Sequence, residues 1–175
     1  WDLRTKKKEV VDAPSKPYAL AFSRNGRNLV TAHAREGGRD LVLFDLKSRK
    51  KVAEFKGHEA SVTCVAFSSD GTTIASGSKD ATVKLWEVQT HREGGTLEGH
   101  LDEIYCVAFH PRENFLASAS KDKTIRVWDT RTRRLLTSAK LESQFVAGLS
   151  FSPDGRMLAI KWRNRIALWE VEFKK

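Results

Sequence analysis

The chain has 175 residues, with 31 Lys and Arg against 22 Asp and Glu, a formal net charge of +9 and 40% hydrophobic residues. That is enough apolar material for one or two packed domains. No apolar run reaches the roughly 18 residues of a membrane span, and two cysteines make no disulfide scaffold. The basic balance favours nucleic acid or acidic protein segments as partners over neutral ones. With no secretory leader legible, an intracellular, reducing compartment is expected, cytoplasm or nucleus.

In chain order, two interleaved series set a period. Phe22, Phe67, Phe109 and Phe151 are spaced by 45, 42 and 42 residues. Trp1, Phe44, Trp86, Trp128 and Trp169 follow at 43, 42, 42 and 41. Residues 1–13 then read as the end of a preceding unit, followed by units at 14–56, 57–98, 99–141 and 142–175. Within the second unit, Val62–Phe67, Thr73–Ser78 and Thr82–Trp86 are β-branched or apolar runs separated by turns. Val52–Phe55 in the first unit reads as a more polar outer strand, as an edge should be. Asn25-Gly26, Asp70-Gly71 and Asp154-Gly155 recur at one phase and supply the positive φ of tight hairpins. The third unit departs with Pro111-Arg112-Glu113-Asn114. No helical periodicity is sustained, so the expected class is all-β, in four-stranded antiparallel sheets.

On these residues the chain resembles the WD-repeat family over nearly its whole length. The resemblance is carried by Gly57-His58 and Gly99-His100, by Asp80 and Asp122, and by Trp128-Asp129 with the variants Trp86-Glu87 and Trp169-Glu170. It implies β-propeller blades around a central channel. It also implies a hydrogen-bonded chain inside each of two blades, His58, Ser76, Asp80 and Trp86 in one and His100, Ser118, Asp122 and Trp128 in the next. The outer units, with Phe44-Asp45, the insertion at 34–39 and no Gly-His before the fourth unit, are expected to lack it. The chain opens at the end of a third strand and stops at the end of another. The C-terminal part of a larger propeller is therefore expected, with upstream blades or a second copy closing the ring. Alternatives are a four-blade ring with Val10-Val11 beside Ile166-Ala167-Leu168, or an eight-blade ring of two chains.

Catalysis is not expected. Histidine, serine and aspartate occur as a set twice at identical spacing, whereas an enzyme needs one active site. No P-loop, Gly-x-Ser-x-Gly elbow or dinucleotide fingerprint is present. Cys64 and Cys106, 42 residues apart, lack zinc spacing and read as buried apolar positions. His33, His91 and His110 are scattered, and Asp102-Glu103 reads as a solvated loop pair. No cofactor or metal is expected.

The resemblance further implies two binding faces. Contact positions on the top face map by phase to Tyr18, Ser61, Thr63, Lys79, Glu103, Tyr105, Lys121, Phe145 and Trp162. The opposite face collects Lys6, Lys7, Lys8, Lys47, Arg49, Lys50, Lys51, Arg131, Arg133 and Arg134, with no interleaved aromatics to stack on bases. The expected function is a non-catalytic scaffold that assembles a multiprotein complex. The alternatives are a subunit contacting RNA or DNA backbone through the basic face and, more remotely, a sensor module appended to a signalling enzyme.

Overall fold

The computed structural model describes residues 17–33, 40–142 and 145–171. The expectations for Lys6, Lys7, Lys8, Val10-Val11 and the insertion at 34–39 lie outside the described residues. Described secondary structure is antiparallel β. The first sheet holds β1 (Pro17–Phe22), β2 (Asn28–His33), β3 (Leu41–Asp45) and β4 (Lys50–Phe55). The second holds β5 (Val62–Phe67), β6 (Thr73–Ser78), β7 (Val83–Glu87) and β8 (Arg92–Leu97). The third holds β9 (Ile104–Phe109), β10 (Phe115–Ser120), β11 (Thr124–Asp129) and β12 (Leu135–Lys140). The fourth has three strands among the described residues, β13 (Gly148–Phe151), β14 (Met157–Trp162) and β15 (Arg165–Glu170). Each sheet runs in chain order as a simple meander.

In the first, second and fourth sheets, the hairpin joining the first two strands combines a left-handed glycine with a side-chain cap. In the β5–β6 turn, Asp70 Oδ1 accepts from Ser68 Oγ at 2.6 Å and from the Thr72 N–H at 3.0 Å. Gly71 follows at φ 74°, a region that costs a side chain about 1–2 kcal/mol. The third sheet has no glycine at that phase. There His110 Nδ1 accepts the N–H groups of Arg112 and Glu113 at 3.2 and 2.9 Å.

The first strands β1, β5, β9 and β13 pack side by side, so the four sheets stand as blades around them. Between the first two sheets, Val30, Leu43, Phe55 and Trp86 form the core, with the Phe55 and Trp86 rings 5.5 Å apart. Val83, Leu97, Leu116 and Trp128 fill the next interval, and Ile125, Val127, Leu158 and Ile160 the last. One filler shrinks along the series. Phe55 opposite Leu41 becomes Leu97 opposite Val83 and Ala139 opposite Ile125. A cavity of about 550 Å³ accordingly lies between the third and fourth sheets, lined in part by Ala139, Val127, Leu158 and Trp169. Trp169 is half-buried, whereas Trp86 and Trp128 are each 2% exposed.

Both ends of the blade series are uncovered among the described residues. Leu20 and Phe22 on β1, and Ile166 and Leu168 on β15, are each more than half exposed. The matching Ile125 and Val127 of the third sheet are buried against its neighbour. The pattern is that of an open, partial propeller.

Candidate functional site

Two buried polar chains repeat with nearly the same geometry. His58 Nδ1 lies 2.7 Å from Asp80 Oδ2 and Nε2 lies 2.7 Å from Ser76 Oγ. Trp86 Nε1 donates to the same Ser76 oxygen at 2.8 Å. In the third sheet, His100 spans Asp122 and Ser118 at 2.8 Å each, and Trp128 donates to Ser118 at 2.8 Å. A neutral imidazole satisfies every member: Nδ1–H donates to the carboxylate, the serine hydroxyl donates to Nε2, and the serine oxygen accepts from the indole.

The aspartates also fix the neighbouring loops. Asp80 Oδ1 takes the Thr82 N–H and hydroxyl, while Oδ2 takes the Glu59 N–H as well as His58. Burial raises the Asp80 carboxyl, but the hydrogen bonds from His58 and Thr82 outweigh it and hold the group well below the ordinary carboxylate range. The same balance, with Thr124 and His100 as donors, brings Asp122 to about 2. Burial pushes His100 below its ordinary value against the opposing pull of Asp122.

The outer sheets differ. In the fourth, Ile160 occupies the register of Ser76 and Ser118, and it is fully buried. In the first, Thr31 occupies that register, and its hydroxyl lies 2.7 Å from His33 Nε2, with both residues buried. This partial substitute escaped the sequence reading because its histidine sits within a strand. A second missed element is His110, whose Nε2 donates to the Gly155 carbonyl of the fourth sheet at 3.1 Å.

At one end of the sheets, the loops entering the first strands meet the turns between second and third strands. The Lys79 N–H donates to the Ser61 carbonyl and the Lys121 N–H to that of Glu103, each at 2.9 Å. Lys79 Nζ lies 4.0 Å from Glu103, and Lys121 Nζ lies 3.6 Å from both Asp102 and Glu103. Those acids raise the Lys121 ammonium above its ordinary value. The Tyr105 and Phe145 rings are 5.2 Å apart, and Phe145 is 54% exposed. Beside them, Phe145, Trp162, Lys123, Glu142, Arg163 and Arg165 line a cavity of about 740 Å³. Tyr18 stands on β1, 70% exposed and without a ring contact to this group among the described residues. Thr63 is half-buried, and its hydroxyl donates to the carbonyls of Gly77 and Ile104, tying β5 to β9. A register shift at Val62/Cys64 accompanies this placement.

The opposite end carries Lys47, Arg49, Arg131, Arg133 and Arg134 in the turns between third and fourth strands, and Lys50 and Lys51 at the start of β4. Lys51 and Arg133 are among those used internally. Lys51 pairs with Glu54 at 2.7 Å, and the Arg133 guanidinium donates to the Gly94 carbonyl of the second sheet. Burial pushes the Cys64 thiol up to about 12 and Cys106 up to about 11. Among the described residues, no group of three His, Cys, Asp or Glu side chains is placed to hold a metal ion, and no helix is long and apolar enough to cross a membrane.

Antiparallel sheets standing as blades, with each of the two central sheets braced by a His–Asp–Ser–Trp chain, define a WD-type β-propeller. Residues 16–175 match the family model described as the IFT122 first β-propeller, and the chain belongs to that family. It is also similar to the APC/C activator protein CDH1 of Saccharomyces cerevisiae, 34% identical over 50% of the chain and 16% of that protein. A serine-threonine kinase receptor-associated protein of Dictyostelium discoideum is 36% identical over 42% of the chain and 27% of its own length. The intraflagellar transport protein 122 homolog of Xenopus tropicalis is 36% identical over 39% of the chain and 6% of its own length. The matched stretches are thus small parts of longer relatives.

Proposed function

We propose that the chain is a non-catalytic scaffold that holds proteins together in a complex, using the end of the blades that carries Tyr105 and Phe145. The observation that carries the non-catalytic part is the state of Ser76 and Ser118. Each hydroxyl is fully buried and already engaged by both a histidine and an indole. A triad nucleophile needs an open approach for its acyl group, and these hydroxyls have none. Relatives whose names place them with the APC/C, with intraflagellar transport or with a kinase receptor support a partner-binding role.

The surface supports it as well. The tilted Tyr105 and Phe145 ring pair, with Lys79, Lys121, Asp102 and Glu103 nearby, has the composition of an interface hot spot with a polar rim. Tyr105→Ala in affinity-tagged protein is expected to reduce captured protein partners by about tenfold while the melting temperature holds. Undiminished capture would remove this end of the blades from the account.

The cluster of Lys47, Lys50, Arg131 and Arg134 at the opposite end supports a second reading, contact with a polyanion backbone. It predicts binding that falls steeply with salt and shows no sequence preference.

A further inference from the structure

The cations over the second and third sheets are already neutralised: Lys79 faces Glu103, and Lys121 faces Asp102 and Glu103. Over the third and fourth sheets they are not. Lys123, Arg163 and Arg165 line the 740 Å³ cavity together with Trp162, Phe145 and one acid, Glu142. Glu142 lies 3.9 Å from Arg165, both strongly exposed. Among the described residues, the ion pairs formed leave Lys123 and Arg163 without a carboxylate.

The backbone fixes where these two cations stand. Lys123 follows Asp122 in a turn at φ 67°, as Ala81 does after Asp80 at φ 66°. The blade therefore dictates the turn conformation, and the lysine is additional to it. Arg163, at φ 47°, is the first residue of the two-residue turn between β14 and β15. Trp162 packs partly against the core between the third and fourth sheets, which gives the cavity a firm apolar wall. Phe145 forms the other wall and is braced by Tyr105.

We infer that this cavity takes an acidic peptide segment, a glutamate or aspartate side chain followed by an apolar residue. The inference rests on the protein-interaction reading above and gives that surface a ligand chemistry. The guanidinium of Arg163 offers a planar fork to a carboxylate and Lys123 adds a point charge. Trp162 and Phe145 cover the neighbouring apolar side chain. Glu142 at the rim repels a dianionic phosphate or a continuous phosphodiester backbone more strongly than a single carboxylate.

The test uses the 175-residue chain and short labelled peptide pools with degenerate flanks around a fixed Glu-Leu, Ala-Leu, Lys-Leu or phosphoserine-Leu pair, alongside a single-stranded oligonucleotide. Retention of the Glu-Leu pool should exceed that of the Ala-Leu pool by about tenfold, as a charge-assisted hydrogen bond allows. Lys-Leu should not be retained. The double variant Lys123→Glu with Arg163→Glu should fall to the Ala-Leu level with its melting temperature unchanged. Equal retention of Glu-Leu and Ala-Leu, an unaffected double variant, or preference for the phosphoserine pool or the oligonucleotide each overturns the inference. Capture of whole-cell partners separates the two levels. If the pools fail but Tyr105→Ala still releases protein partners, this pocket assignment alone falls; if Tyr105→Ala releases none, the interaction reading falls with it.

Discussion

His110 reaches from the third sheet to the fourth and donates from Nε2 to the carbonyl of Gly155, 3.1 Å away. Its other nitrogen accepts two backbone N–H groups of its own turn, so one neutral imidazole caps a hairpin and joins two blades. The contact is close. A Cβ on Gly155 would stand 2.1 Å from His110 Nε2, and Gly155 sits at φ 80°. Gly155→Ala is therefore expected to destabilise the chain by about 2 kcal/mol or more, through backbone strain and collision together. His110→Ser, which installs the residue found at Ser23, Ser68 and Ser152, should relieve the collision. In chemical denaturation, the double variant should lose less than the sum of the singles. Strict additivity would show that the two residues do not meet.

The two internal chains stabilise by being complete. Ser76→Ala removes the acceptor of the buried Trp86 N–H and the donor to His58 Nε2. A loss of about 1–3 kcal/mol is expected, and the same for His58→Ala, because buried polar groups are left unpaired. Unfolding curves that match the parent protein would refute the assignment.

Acid should act on these chains in two stages. His100 sits below its ordinary 6.5 in the folded chain. Below that pH the unfolded chain binds a proton that the folded one resists, and stability falls. Asp122 is held at about 2, against an ordinary 3.8, so its contribution is present above 3.8 and is lost as pH drops toward 2. Melting temperature should thus decline as pH falls through 6.5 and again below 4. His100→Gln should flatten the first stage relative to the parent, and an unchanged profile would count against it.

The cavity between the third and fourth sheets invites a gain. Ala139 stands where Phe55 and Leu97 fill the earlier intervals. Ala139→Leu should place its side chain among Ile125, Leu158 and Trp169 and stabilise by about 0.5–2 kcal/mol, within the range of cavity-filling changes. A fall in melting temperature would mean that the interval is narrower than the lining residues indicate.

The blades were legible in the sequence because the period of 42 places Phe67 and Phe109, and Trp86 and Trp128, at matching points of the second and third sheets. The His58 and His100 chains followed from the resemblance, since their members keep fixed spacing. Four features were not legible. His110 bonds a backbone carbonyl, which carries no side-chain signature. His33 sits two residues after Thr31 within β2, so it lacks the Gly-His mark, although Thr31 keeps phase with Ser76 and His33 with Ser78. Thr63 shares a phase with Tyr105, but its short hydroxyl stays within reach of neighbouring carbonyls, whereas the tyrosine ring extends to Phe145. The cavity beside Trp162 depends on how the turns of two sheets meet, and no single repeat encodes it.

The most direct test of the central claim is co-purification of the intact protein from its native cells, with the sample divided and one half treated with nuclease. Protein partners retained at equal abundance in both halves, and lost from the Tyr105→Ala variant, are the predicted result. Partners that disappear together with nucleic acid would contradict it and move the role to the basic end of the blades.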